Sequence, residues 1–191
     1  MDRGRYGKAK VQMSKKVLVI SSSPRRGGNS DLLCDQFVAA ANKAGHDAEK
    51  VFLKDKKINY CQGCGVCVGG AQSCPQKDDM GEVLEAMVAA DVIVMATPVY
   101  FYTMCGQMKT VIDRTCSRYT EIRNKEFYFI VTAADSNEWA IERTVEEFRG
   151  FTSCLDGARE KGIVCGTGSW GIGDIKGSEA MKVACEMGTK V

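Results

Sequence analysis

A chain of 191 residues, 45% of them hydrophobic, is long enough for one domain with a substantial core. Its 26 basic and 24 acidic residues are intermixed and leave a net charge of +2, which argues against a nucleic-acid partner or a membrane-surface role. No apolar run approaches bilayer length and no signal-peptide core opens the chain, so a cytoplasmic location is expected, where 10 cysteines point to metal or redox work more than to disulfides.

Met1 to Gln12 are basic and without apolar periodicity, so 1–12 is expected to be a flexible extension and 13–191 a single domain. Val17-Leu18-Val19-Ile20 is a short apolar run, followed by the hydroxyl-, glycine- and arginine-rich turn Ser21 to Ser30 and then a helical pattern. That order reads as a buried parallel strand feeding an anion-binding loop at a helix N-terminus. Ser21, Ser23, Arg25, Gly28, Asn29 and Ser30 are its candidate ligands for a phosphate, through hydroxyls, backbone N–H groups and the positive end of the helix dipole. The turn carries neither the G-x-x-x-x-G-K-[ST] of a P-loop nor G-x-G-x-x-G.

Leu33, Phe37, Ala40, Ala41 and Ala44 recur at helical spacing until Gly45, and 48–53 gives a second strand. His46, the only histidine, reads as a solvated turn residue, and histidine-dependent hydrolysis is not expected. After an irregular stretch over 54–79, Met80, Val83, Leu84, Met87 and Val88 form the next helical stripe, with the methionines as core. A third strand over 91–96 should end in a stiff aromatic loop, Thr97 to Tyr102, followed by a helix through Met104, Met108, Val111 and Ile112. Strands over 126–132 and 161–165, each followed by a helix, complete the pattern, and Gly188 can end the last helix. Five strand-then-helix units imply an α/β three-layer sandwich, a five-stranded parallel sheet of order 2-1-3-4-5 with helices on both faces.

In that topology the loops after strands 1 and 3 open one crevice. A phosphate held by the first and a flat ring held by the second describe FMN. Thr97, Pro98, Val99, Tyr100 and Phe101 are the candidate ring-binding residues, with Thr132 and Ala133 closing the far side and Tyr102 beside them. One of the three consecutive aromatics is expected to serve packing alone. Gly166 to Gly171 is a literal G-x-G-x-x-G, but only one helix follows it, so it reads as a glycine-rich loop near the pocket or a subunit contact.

Cys61, Cys64, Cys67 and Cys74-Pro75 place four thiols within one short loop. Repeated C-x-x-C-x-x-C suits an iron-sulfur cubane, a [4Fe-4S] cluster, better than the paired knuckles of zinc, although spacing leaves zinc and free or redox-active thiols open. Gly63, Gly65, Gly69 and Gly70 would let backbone N–H groups approach the negative sulfurs. Cys34, Cys105, Cys116, Cys154, Cys165 and Cys185 are expected to be apolar fillers, with Cys105 nearest the ring-binding loop.

Ser22-Ser23-Pro24-Arg25 through Asn29-Ser30 resembles the FMN-phosphate loop of flavodoxin-like reductases, G-S-P-R-x-x-G-N-[ST]. With the cysteine motif, Asp78-Asp79-Met80, Thr97-Pro98-Val99-Tyr100, Lys109, Asp113-Arg114 and Gly171-Ile172-Gly173-Asp174, the chain resembles the iron-sulfur flavoproteins of the NADPH-dependent FMN reductase family. The resemblance implies a flavodoxin-like fold and an FMN-dependent oxidoreductase moving electrons from NAD(P)H or reduced ferredoxin to a quinone, a flavin, oxygen or another carrier. The rival readings are a cluster-free NAD(P)H:FMN or quinone reductase and a non-catalytic FMN-binding electron carrier. The resemblance also implies a homodimer or homotetramer. No side chain is assigned a catalytic role, because hydride and electron transfer need no side-chain base.

Overall fold

In the computed structural model, which describes residues 13–68 and 73–191, the first three strands and helices are β1 (Lys16–Ser21), α1 (Asn29–Lys43), β2 (Asp47–Phe52), α2 (Met80–Ala89), β3 (Val92–Tyr100) and, after the short β4 (Thr103–Met104), α3 (Gly106–Arg114). The chain then runs through β5 (Glu126–Thr132), α4 (Trp139–Thr152), β6 (Arg159–Gly166) and α5 (Glu179–Thr189). The expected extension over 1–12 and the glycines Gly69 and Gly70 lie outside the described residues.

Alternation along the central strands sorts their side chains onto two buried faces. Val17 and Val19, Val92, Val94 and Ala96, and Tyr128 and Ile130 pack with Leu33 and Phe37 of α1 and Ala180 and Ala184 of α5. Leu18 and Ile20, Ile93 and Met95, and Phe127, Phe129 and Val131 pack with Leu84 and Met87 of α2, Met108 and Val111 of α3 and Phe148 of α4. Burial on both faces is why these strands read as continuous apolar runs. Rings lock each layer: Phe37 meets Tyr128 edge-on at 5.3 Å, and Phe129 stacks on Phe148 at 4.9 Å.

The sheet order is β2-β1-β3-β5-β6, all parallel, with β4 antiparallel to the end of β3. The five long strands therefore follow the expected doubly wound order, with β4 as an addition. β3 also runs on past its expected end, because Pro98 still faces Thr132 in register and a proline is tolerated where its missing N–H is not needed.

Two turn readings need correction. Gly45, at φ +95°, ends α1 as expected: Gly45 N–H donates to Asn42 O and His46 N–H to Ala41 O, a Schellman closure. The closure pulls His46 inward, so it is buried, not solvated, and its Nδ1 accepts the Lys15 N–H at 3.2 Å. Gly188 does not end α5; it lies within the helix, where a Cβ would come 2.5 Å from Phe37 O and 3.0 Å from Ala40 Cβ. It is the close-approach point between α5 and α1. Gly188→Ala should therefore cost about 1–3 kcal/mol in thermal or urea unfolding, the overpacking penalty, whereas a glycine with open space beside it inside a helix would gain from alanine.

Candidate functional site

Four loops at the C-terminal ends of the strands meet over one cavity of about 620 Å³. Its polar end is Ser23, Arg25, Asn29 and Ser30, its ring-bearing wall is Pro98 to Tyr102, and Thr132 to Asp135 with Ser169 and Trp170 close the remaining sides. Of the residues expected there, Ser23, Arg25, Asn29, Ser30, Pro98, Val99, Tyr100, Phe101, Thr132 and Ala133 are brought together. Ser21, Gly28 and Thr97 stand behind them.

The polar turn is built by bonds to its own neighbours. Ser23 Oγ donates to Arg25 O at 2.8 Å and accepts the Arg25 N–H, closing a tight turn. Gly28 permits it, since a Cβ there would meet Ser23 Oγ at 2.7 Å and Arg25 O at 2.9 Å. Ser21 points away: its hydroxyl donates at 2.9 Å to Asp31, which also accepts the Gly27 N–H at 2.9 Å and Lys50 Nζ at 2.8 Å. Burial alone would raise the Asp31 pKa, but those three donors outweigh it and hold the carboxyl below its usual value. Asp31 thus stays ionised, bonded to a lysine that it shares with Asp35. Gly28 offers α1 no side-chain cap, and Ser30 Oγ is buried with no hydrogen-bond partner.

Asn29 is the fastener between the turn and the glycine-rich loop. Its Nδ2 donates to Ser169 O at 3.1 Å and Gly171 O at 2.9 Å, while its Oδ1 accepts N–H groups from Gly173 at 3.1 Å and Ile175 at 3.3 Å. The amide is fully engaged, which leaves its backbone for a ligand. The far wall is tied in by Ser169 N–H to Ala133 O at 2.9 Å and Gly168 N–H to Asp135 O at 2.8 Å.

The aromatic wall is a strained hairpin. Tyr100 pairs with Thr103, leaving Phe101 and Tyr102 as a two-residue connection with φ of +53° and +63°. Asparagine and glycine suit such positions, and aromatic residues held there mark a site whose geometry is enforced by its surroundings. Phe101 is 99% exposed, whereas Tyr102 packs at a tilt of 32° against Trp139 with centroids 4.9 Å apart. Beneath the hairpin, Thr97 Oγ1 accepts the Cys105 N–H at 3.0 Å, and the buried Cys105 thiol donates to Ser22 Oγ at 3.1 Å. Thr97 and Cys105 therefore brace the two loops from behind.

The sequence model of the NADPH-dependent FMN reductases matches residues 15–154. The chain belongs to that family. Among its relatives, an iron-sulfur flavoprotein of Methanocaldococcus jannaschii is 35% identical over 71% of this chain and 70% of its own length. Two iron-sulfur flavoproteins of Archaeoglobus fulgidus are each 40% identical, over 52% and 64% of this chain. The chain spans only 44% and 61% of their lengths. A solved structure titled Trp repressor binding protein from Bacillus subtilis superposes with a TM-score of 0.66 at 25% identity, covering 90% of this chain and 99% of that one. An FMN-dependent NADH-azoreductase of Bacillus anthracis, solved with FMN, shares the fold at a TM-score of 0.70 and 15% identity, over 92% of this chain and 99% of that one.

In this FMN reductase family member the cysteine loop is closed at its neck. Arg114, at the end of α3, donates to Asn59 O at 2.6 Å and forks onto Asp78 at 2.7 and 2.9 Å, while Asp78 also accepts the Asn59 N–H at 3.0 Å. The Arg114 bond, with help from the Asn59 and Met80 N–H groups and against burial, holds the Asp78 carboxyl down at about 2. Below the neck, Cys61 and Cys64 are exposed and Cys67 and Cys74 half-buried. Among the described residues no three metal-binding side chains converge on a common point. Cys74 and Arg114 line one small cavity, and burial together with the neighbouring Cys67 thiol pushes the Cys116 pKa up. Cys116 is exposed beside the loop, not an apolar filler, and Cys154 and Cys165 are exposed as well, while Cys34 and Cys105 are buried as expected. No helix among the described residues is long and apolar enough to cross a membrane.

Proposed function

We propose that the chain is an FMN-dependent oxidoreductase that accepts reducing equivalents from NAD(P)H or a reduced ferredoxin and passes them to a planar acceptor such as a quinone or a flavin. The carrying observation is that a single cavity joins a helix N-terminus, at which a buried hydroxyl of Ser30 lacks a partner, to a wall of aromatic rings. Such a pairing of a phosphate cradle with a flat slot suits a flavin mononucleotide. Ser23, Arg25, Ser30 and the backbone of Gly28 and Asn29 would hold the phosphate, with Ser21 positioning Asp31 behind them. Thr97, Pro98, Val99, Tyr100 and Phe101, with Thr132 and Ala133, would frame the ring. The bound flavin supplies the hydride and electron chemistry. The chain's part is to orient the ring between the hairpin and the Ala133 loop and to exclude water with Tyr102 and Trp170.

The exposed rims of Phe101 and Trp170 support a homodimer or homotetramer in which a second subunit covers the cavity mouth. The cysteine spacing and the iron-sulfur flavoprotein relatives support Cys61, Cys64, Cys67 and Cys74 as ligands of a [4Fe-4S] cluster. As placed, the four thiols do not fit one, since they do not converge. Steady-state oxidation of NAD(P)H by the FMN-loaded chain with a quinone acceptor tests the catalytic reading: sustained turnover is expected, and none at all would leave a non-catalytic carrier. Iron and acid-labile sulfide in anaerobically purified protein test the cluster.

A further inference from the structure

The aromatic hairpin is tied from outside by α4. Phe101 and Tyr102 hold φ of +53° and +63°, a backbone conformation that bulky side chains keep only where their surroundings enforce it. Inside the turn Thr103 Oγ1 donates to Tyr100 O at 3.0 Å, but β4 is two residues long and pairs with β3 alone. Its outer edge has no further strand, and the Met104 N–H needs a partner from elsewhere. Glu147 of α4 supplies one: its carboxylate accepts the Met104 N–H at 2.7 Å, the length of a charge-assisted bond. The preceding residue, Glu146, pairs with Arg149, whereas the half-buried Glu147 is given to the hairpin. At the start of the same helix Trp139 packs against Tyr102, with ring centroids 4.9 Å apart. Ile141, Val145 and Phe148 anchor α4 in the core, so both contacts come from a fixed element.

We propose that Glu147 is a positioning residue for the flavin ring: through the Met104 N–H it fixes where the hairpin stands, and with it the slot between Tyr100 and Phe101 on one side and Thr132 and Ala133 on the other. The inference rests on the proposed flavin site. Glu147 does not line the cavity, so its influence on a bound ring passes through the hairpin. Its bond is to Met104, not to the phosphate turn at the polar end of the same cavity. Losing it should therefore loosen the grip on the ring and leave the share of binding that comes from the phosphate. The function required at this position is an acceptor oxygen at the end of a side chain of this length. An amide retains that oxygen, and a thioether of the same length does not.

The test titrates the full, flavin-free chain with FMN and with riboflavin in the parent, Glu147→Met, Glu147→Gln and, as a control on the same helix, Glu146→Ala. In Glu147→Met both flavins should bind about tenfold or more weaker, with the ratio of their affinities unchanged, as the loss of one charge-assisted hydrogen bond implies. Glu147→Gln should stay within about threefold of the parent, and Glu146→Ala should match it. Circular dichroism confirms that each variant is folded, with Glu147→Ala as the substitute if the methionine variant is not. Hydrogen exchange of the flavin-free chain is the second readout: the Met104 amide should lose protection in Glu147→Met and keep most of it in Glu147→Gln, while Ile130 in β5 stays protected in both. Parent-like affinity for both flavins in Glu147→Met, a loss confined to FMN, a glutamine variant as weak as the methionine one, or unchanged Met104 protection would overturn the assignment. A parent chain that binds neither flavin would instead sink the flavin reading, and the assignment with it.

Discussion

Replacing Arg114 by methionine is expected to lower stability by about 3–5 kcal/mol, the cost of stranding one half of a buried ion pair. The Arg114 and Asp78 side chains are 2% and 4% exposed, so water cannot replace the lost guanidinium. For a domain of this size the melting temperature should fall by on the order of 10 °C. The loss should be local as well as global, because the same fork holds Asn59 O and Asp78, the two ends of the cysteine loop. Limited proteolysis should nick the variant between residues 60 and 77 at protease levels that leave the parent intact. Arg114→Lys should fall between the two, since an ammonium keeps the charge but cannot fork onto Asp78 and reach Asn59 together. The pair also sets an acid limit. Asp78 ionises at about 2 when folded, below its ordinary value of 3.8, so its contribution is complete above the unfolded value and drains away as pH falls toward 2. Asp78→Asn should flatten that part of the stability curve, and an unchanged curve would refute the pairing.

Asn29→Ala should cost about 2–4 kcal/mol and loosen one wall of the cavity. It leaves Ser169 O, Gly171 O, Gly173 N–H and Ile175 N–H without their common partner. Hydrogen exchange should accelerate at Gly173 and Ile175 far more than in β1, and the Trp170 emission should shift as the loop loses its anchor. Asn29→Asp should not rescue the loop. A carboxylate can still accept from the two N–H groups, but it faces the Ser169 and Gly171 carbonyls with no donor. Protection at Gly173 that matches the parent in both variants would show that the loop is held by something else.

The strands and helices were readable from the sequence because their signals are local: apolar runs buried on both faces, helical stripes, and Gly45 at a helix end. The crevice followed from chain order, since a parallel sheet of this winding brings the Ser21 to Ser30 turn and the Pro98 to Tyr102 segment to one place. What a side chain does there depends on partners far along the chain, which no local pattern carries. Asn29 looked like a phosphate ligand, yet its amide is engaged by residues 140 and more positions away. Ser21 is drawn inward by Asp31, itself held by Lys50, and neither carried a motif of its own. Gly188 looked like a stop because glycine often is one, and only the approach of α1 shows it to be a contact.

The most direct test is a titration of the flavin-free chain with FMN and, in parallel, with riboflavin, followed by quenching of flavin fluorescence, in the parent and in Arg25→Ala. A phosphate held at the α1 N-terminus by Ser23, Arg25 and Ser30 should make FMN bind about a hundredfold or more tighter than riboflavin, the worth of one or two charge-assisted hydrogen bonds. Arg25→Ala should erase roughly tenfold or more of that gap while leaving riboflavin binding nearly unchanged. Riboflavin binding as tightly as FMN, or no quenching by either, would contradict the proposed site.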